Sequence, residues 1–155
     1  MVQNAGNSKY FEDFEVGQEV TTSGRTVTET DVVMFAGVSG DHNPLHVDAE
    51  YARATPFGER IAHGVLGLAI ATGLAERTGL MAATVEAFLG LDWKFRAPIK
   101  IGDTIHATLQ VTQVRAMGDA GGVVVFNVAI HNQRGETVQR GQWTVLVKRR
   151  TQQAV

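Results

Sequence analysis

The segment His63-Gly64-Val65-Leu66-Gly67-Leu68-Ala69-Ile70-Ala71-Thr72-Gly73-Leu74 contains no Asp, Glu, Lys or Arg and is apolar nearly all round. A helix of that kind needs burial on every side. It is too short and too interrupted to span a membrane. The chain has 155 residues, the size of one domain with one proper core, so the cover is expected from the rest of that domain. Gly64, Gly67 and Gly73 lower helix propensity. A physical reason to keep them is close approach of another backbone or of a ligand.

The cover is legible downstream. Val85 to Phe95 is strand-like. Ile105, Ala107, Leu109 and Val111 alternate with His106, Thr108, Gln110 and Thr112, the period of a strand with one buried face. Val123 to His131 reads as a further strand, Asn132-Gln133-Arg134-Gly135 as a turn, and Thr137 to Lys148 as the antiparallel partner. Upstream, Tyr10 to Gly17 is a turn-rich lead-in with packing aromatics, and Gln18 to Thr28 has a β-favouring composition. Thr28 is placed to cap a helix with Asp31 in a capping box, followed by an apolar stripe of Val32, Phe35, Ala36 and Val38. Ser39-Gly40 ends that helix. Asp48 is placed to cap a short helix over 49–54, which Thr55-Pro56-Phe57-Gly58 breaks. Helices segregated from antiparallel strands indicate an α+β fold, with a sheet curled around one long apolar helix.

Composition excludes several function classes. With 44% hydrophobic and 19% charged residues, the chain is a soluble globular domain rather than a disordered one. A formal net charge of −2 offers no electrostatic reason to expect nucleic acid or an anionic membrane as partner. Lys148-Arg149-Arg150 reads as part of a solvated tail. The absence of cysteine excludes disulfides, thiolate chemistry and Cys-ligated zinc, and is compatible with a cytoplasmic location. The segment Met1 to Ser8 lacks the basic and apolar regions of a signal peptide. The expected organisation is a flexible segment over 1–9, one domain over 10–148 and a tail over 149–155.

The chemistry-bearing residues concentrate in Ser39-Gly40-Asp41-His42-Asn43-Pro44-Leu45-His46. Pro44 removes a backbone donor and pushes Asn43 towards extended geometry, so the stretch reads as a shaped loop rather than a helix interior. Asp41 and His46 are two proton-transfer groups that can act on one water. The same residues also suit a structural reading, with Asp41 in an Asx-turn, Asn43 bonded within its own loop and His46 bonded to backbone. His42 reads as surface. His42 and His46 do not share a helix face and no cysteine set exists, so no metal site is expected. At Ala62-His63-Gly64, the helix start offers free N–H groups to developing negative charge, and Gly64 has no side chain to block approach. A packing glycine is the alternative. No Gly-x-Ser-x-Gly and no phosphate-binding glycine loop occurs, which argues against a serine hydrolase, a kinase or a dinucleotide enzyme.

Gly40-Asp41-x-Asn43-Pro44-Leu45-His46, followed by Ala62-His63-Gly64 opening a long apolar helix, resembles the MaoC-like dehydratases, the R-specific enoyl-CoA hydratases of the hot-dog fold. The resemblance extends through Leu91-Asp92-Trp93-Lys94-Phe95-Arg96-Ala97-Pro98-Ile99 and Gly102-Asp103-Thr104, and covers roughly Tyr10 to Val147. It implies an antiparallel sheet wrapped round a central helix and self-association as a homodimer or higher. It implies reversible hydration of a trans-2-enoyl-CoA to an (R)-3-hydroxyacyl-CoA. Asp41 and His46 match the family's catalytic pair, Asn43 the residue that orients it, and Gly64 the backbone donor to the thioester oxygen. Tentative substrate contacts are His63, Pro44, Lys94 and Arg96. Lys94, Arg96 and Lys100 are candidate cations for the coenzyme A phosphates, and equally ordinary strand-end charges. No cofactor is implied beyond the coenzyme A of the substrate, and the acyl-CoA thioester is the implied partner. Some relatives carry a serine a few positions into the helix, whereas here no hydroxyl follows Gly64 until Thr72. Two other readings keep the fold: a hot-dog thioesterase, although the first acid of the helix is Glu76, and a non-catalytic acyl-CoA-binding domain.

Overall fold

The alternation that begins at Ile105 becomes β4 (Thr104–Ala116), the strand on which the sheet is assembled. In the computed structural model, which describes residues 8–118 and 121–150, two short strands, β1 (Glu19–Thr21) and β2 (Arg25–Thr26), pair with one edge of β4. Its other edge pairs with β5 (Gly122–His131), which pairs with β6 (Thr137–Val147), which pairs with β3 (Val85–Phe95). All these pairings are antiparallel, and the order is β1-β4-β5-β6-β3 with β2 beside β4. Register shifts at Val111/Gln113 in β4 and at Phe88/Gly90 in β3 supply the bulges by which a sheet bends.

The bend encloses the apolar segment, which forms α4 (Gly64–Arg77). Leu66, Ile70, Ala71 and Leu74 of α4 lie in one core with Leu109, Phe126, Val128 and Val145 from the inner face of the sheet. Two of the three helix glycines have the expected close neighbours. A Cβ at Gly64 would lie 2.8 Å from the Phe95 ring, and one at Gly67 would lie 2.5 Å from both Gln139 and Ile99. Gly73 differs, because nothing lies within 4 Å of its Cβ position. Burial of α4 is also not all-round. Val65, Ala69 and Thr72 are exposed, on the flank where Phe88 and Leu91 of β3 lie beside Val65 and Ala69.

The remaining helices sit ahead of α4. Thr28 caps α1 (Glu29–Ser39) with a full capping box to Asp31, and Gly40 ends it in the left-handed region at φ 75°. Val32 and Ala36 bury the inner stripe, but Val38 is exposed, one position past the face that meets the core. Helix α3 (Ala49–Arg53) is capped by Asp48 as expected. The Pro44 stretch is more helical than its composition indicates, because Pro44–Val47 closes one turn, α2. Proline is suited to a first helical position, where its missing N–H costs nothing. Arg149 and Arg150 do not lie free in solvent. Arg150 bonds both carboxylate oxygens of Asp13 at 2.6 and 2.7 Å and lies over Tyr10, while Arg149 lies over Phe11. The expected flexible segment and tail otherwise fall largely on 1–7 and 151–155, outside the described residues. Among the described residues no helix is long and apolar enough to cross a membrane.

Gly102-Asp103-Thr104 has a structural task. Asp103, buried, accepts from the Lys100 amide at 2.9 Å, the Gln133 side chain at 2.8 Å and Arg134 at 3.1 Å. It thereby ties the β5–β6 turn to the start of β4. Burial by itself would raise its pKa, but these donors outweigh burial and hold the carboxyl below its ordinary value. A folded-state value below the unfolded one gives stability that is present above the unfolded pKa and lost as pH falls through the folded one. Asp103→Asn is therefore expected to cost about 1–3 kcal/mol at pH 7. The gap to wild type should close as pH is lowered below about 4, read from urea unfolding at graded pH.

Candidate active site

The loop between α1 and α2 is built by its own polar side chains. Ser39 donates to the Phe35 carbonyl at 2.6 Å and accepts from the Asp41 amide at 3.1 Å. Asp41 Oδ1 accepts from the Asn43 amide at 3.2 Å, and Asn43 Oδ1 accepts from the Leu45 amide at 3.0 Å. Asn43 thus caps the turn that carries His46, and orients that residue through the backbone. His46 Nδ1 bonds the Ile61 carbonyl at 2.8 Å. A carbonyl only accepts, so this nitrogen carries a proton, and in the neutral ring the lone pair is on Nε2. The Asx-turn and the backbone bond of the structural reading are both present. They leave the second Asp41 oxygen and His46 Nε2 without a protein partner among the described residues.

His63 joins this loop to α4. It is the N-cap residue of α4, 2% exposed, and its Nε2 donates to the Asp41 carbonyl at 2.9 Å. Its ring stacks on that of His46 with centroids 3.8 Å apart. At the next position the helix begins. The amides of Leu66 and Gly67 turn back to the His63 carbonyl, whereas those of Gly64 and Val65 have no acceptor among the described residues. Two free N–H groups at a helix N-terminus are a site for negative charge.

These features border a cleft of about 430 Å³ between the start of α4 and the end of β3, lined by His46, Ala62, Gly64, Phe95, Arg96 and Pro98 among others. A larger groove of about 510 Å³ runs across the outer face of the sheet and includes Lys94 and Arg140. Of the two, the cleft is the candidate site, because the proton-transfer side chain His46 lines it beside Gly64 and Val65, whose amides have no acceptor among the described residues. The fold therefore brings Asp41, Asn43, His46, His63, Gly64 and Arg96 together. Lys94 lines the outer groove rather than the cleft, because it alternates with Trp93 and Phe95 along β3. Pro44 is exposed and acts by opening α2.

Asp41, His46 and His63 present ligand-type atoms within 4.8 Å of one another, the composition of a metal site. Each imidazole bonds a backbone carbonyl through one nitrogen and leaves the other free, and the two rings are stacked with centroids 3.8 Å apart and an inclination of 29°.

Residues 12–133 match the family described as MaoC like domain. The chain belongs to the MaoC-like domain family. It is 41% identical over 104 residues to the (R)-specific enoyl-CoA hydratase of Rhodospirillum rubrum, a match that covers 66% of this chain and 69% of that enzyme. Among solved structures it is similar to the monoamine oxidase regulatory protein of Archaeoglobus fulgidus, with a TM-score of 0.88 and 38% identity over 95% of this chain and 99% of the other. It is also similar to the unliganded R-hydratase PhaJ1 of Pseudomonas aeruginosa, with a TM-score of 0.76 and 33% identity over 94% and 92% of the two chains.

The cleft of this MaoC-like domain contains one functional side chain that sequence reasoning missed. Gln139 of β6 is 2% exposed. Its amide donates to the Gly64 carbonyl at 2.9 Å and its oxygen accepts from Trp93 Nε1 at 2.9 Å. It fixes the first turn of α4 to the sheet, and so fixes where the free amides point. The available signal was a long polar residue in phase with Trp143, Val145 and Val147 on the inner face of β6. Gln139→Leu leaves the Trp93 indole N–H unpaired and removes the second donor from the Gly64 carbonyl, which keeps its helical bond. It is expected to cost about 1–3 kcal/mol for the orphaned indole N–H, read as a lower denaturant midpoint.

Proposed function

We propose that this chain hydrates a trans-2-enoyl-CoA reversibly to the (R)-3-hydroxyacyl-CoA. The observation that carries the reading is the placement of His46 Nε2 and the Asp41 carboxylate beside the free Gly64 and Val65 amides. The thioester carbonyl withdraws electrons and makes C3 electrophilic. Asp41 and His46 share the task of taking one proton from water as its oxygen bonds C3. The C2–C3 π pair moves towards the thioester oxygen, where the Gly64 amide meets the developing charge. The same pair returns one proton to C2, and the net change is addition of one water. Asn43 holds His46 in place by capping its helical turn. Arg96, at the cleft mouth, is the cation for the coenzyme A phosphates. Side chains, water and the thioester carry every proton and electron pair in this scheme, so it calls for no metal or redox cofactor. A cysteine-free chain with this substrate fits a cytoplasmic setting.

A thioesterase is the less favoured alternative, since the carboxylate nearest the α4 start is Asp41 and the first acid within the helix, Glu76, lies near its far end. Loss of crotonyl-CoA absorbance on adding the protein tests the assignment, with free thiol followed in parallel. Asp41→Asn and His46→Ala are each expected to abolish nearly all turnover. Gly64→Pro deletes the amide but also sets a Cβ 2.8 Å from the Phe95 ring, so it is made together with Phe95→Ala and compared with Phe95→Ala alone, against which kcat is expected to fall about 10²–10³-fold. Thiol release without hydration, or full activity in both the Asp41 and His46 variants, overturns the reading.

The same reading includes a homodimer. Strand β3 ends the sheet order, so its outer edge has no strand partner among the described residues. Phe88, Leu89, Leu91, Phe95 and the neighbouring Val65 are each about half exposed. An apolar edge strand of this length is a pairing surface, and a second copy would cover the open flank of α4. Light scattering after size exclusion is expected to give at least twice the chain mass, and Leu91→Glu to shift it towards monomer. A monomeric wild type overturns the dimer.

A further inference from the structure

We propose that His63 is a positioning residue of the hydration site, one that sets both members of the acid–base pair without touching substrate. The inference rests on the hydratase reading of the cleft. His63 makes two contacts that matter for the pair. Its Nε2–H holds the Asp41 carbonyl at 2.9 Å, which places the carboxylate on the same residue. Its ring lies against His46 at 3.8 Å and 29°, which blocks rotation of that imidazole about its own axis. With Nδ1 tied to the Ile61 carbonyl, the His46 ring is fixed in plane and in direction, and Nε2 has one orientation. Phe35 of α1 packs on the His63 ring with centroids 4.9 Å apart and buttresses the arrangement.

A second observation separates this role from core filling. His63 Nδ1 is buried and has no hydrogen-bond partner. An unpaired buried nitrogen is costly, and an apolar side chain of similar volume would fill the same space without it. The residue also adjoins Gly64, so one side chain links the loop that moves protons to the helix end that holds the oxygen. His63 is not among the residues lining the cleft, so its loss acts on the reaction step and leaves substrate binding in place.

Two variants test this. His63→Phe keeps a stacked ring and loses the donor to Asp41. His63→Gln keeps a donor near the Nε2 position and loses the stacked ring. With crotonyl-CoA, His63→Phe is expected to lower kcat about 10- to 100-fold with KM within about twofold, and His63→Gln to recover part of the loss, as expected for misplaced reacting groups. An unchanged kcat in His63→Phe overturns the proposal, and so does a raised KM at unchanged kcat, which would make His63 a substrate contact. If circular dichroism shows that His63→Phe does not fold, His63→Gln alone decides. A kcat lowered about fivefold or more at constant KM supports positioning, and wild-type kcat overturns it. Nitrogen-15 spectra of the imidazoles provide a readout independent of turnover. His46 is expected as the single Nδ1–H tautomer in the wild type and in His63→Phe, which keeps the stacked ring, and as a mixture in His63→Gln, which loses it. A His46 spectrum unchanged in His63→Gln overturns the positioning role. A wild type that shows the single tautomer but turns over no enoyl thioester removes the hydratase reading instead.

Discussion

The close approach of the first turn of α4 to β3 and β6 is the constraint on which the rest of the site depends. Side chains at Gly64 and Gly67 would occupy the space taken by Phe95, Ile99 and Gln139. Without them the helix start settles against the sheet, and Gln139 bonds the Gly64 carbonyl. That bond ties the first turn of α4 to β6. The amides at the same turn are left facing the cleft. Close packing thereby creates an electrostatic feature, because a helix start held in this orientation presents unpaired N–H groups where a reacting oxygen would lie.

The acid–base loop is positioned by a chain of short-range bonds rather than by burial. Asp41, Asn43 and Pro44 are exposed, yet each is held by the residue before or after it. Ser39 bonds the Asp41 amide, Asp41 the Asn43 amide, and Asn43 the Leu45 amide. The series ends in a helical turn that presents His46. Two long-range bonds, from His46 to Ile61 and from His63 to Asp41, dock the loop on the segment leading into α4. Structural and chemical roles are therefore compatible for these residues. The bonds that shape the loop use some lone pairs and donors, and leave His46 Nε2 and one Asp41 oxygen without a protein partner among the described residues.

Much of this was legible in the residues. The Thr28 capping box, the Gly40 stop, the alternation of β4, the β5–β6 hairpin and the buried helix all follow from short-range patterns, and all are present. Asp41, His46 and Gly64 were legible as candidates from residue type and helix-start position. Other features were not. Val38 continues the apolar stripe of α1 in sequence but lies beyond the face that meets the core. Gly73 has the same identity as Gly64 and Gly67 but faces open space. Lys94 stands two positions before Arg96, yet it lies within β3 and lines the outer groove, whereas Arg96 follows the end of the strand and lines the cleft. Gln139 stands out locally only as a polar residue in phase with Trp143, Val145 and Val147, and its importance arises from a contact 75 residues away in the chain.

Apolar periodicity, caps and turn residues act over a few positions, so the sequence by itself determined the elements, the buried helix and the polar loop. Only the tertiary structure decided that the His63 ring joins the loop to the start of α4, that His46 and Gly64 line one cleft, and that Gln139 ties the first turn of α4 to the sheet. The physical reason is that these relations depend on how a bent sheet meets a helix. That meeting is governed by which side chains, and which missing side chains, lie at the single place where the two come closest.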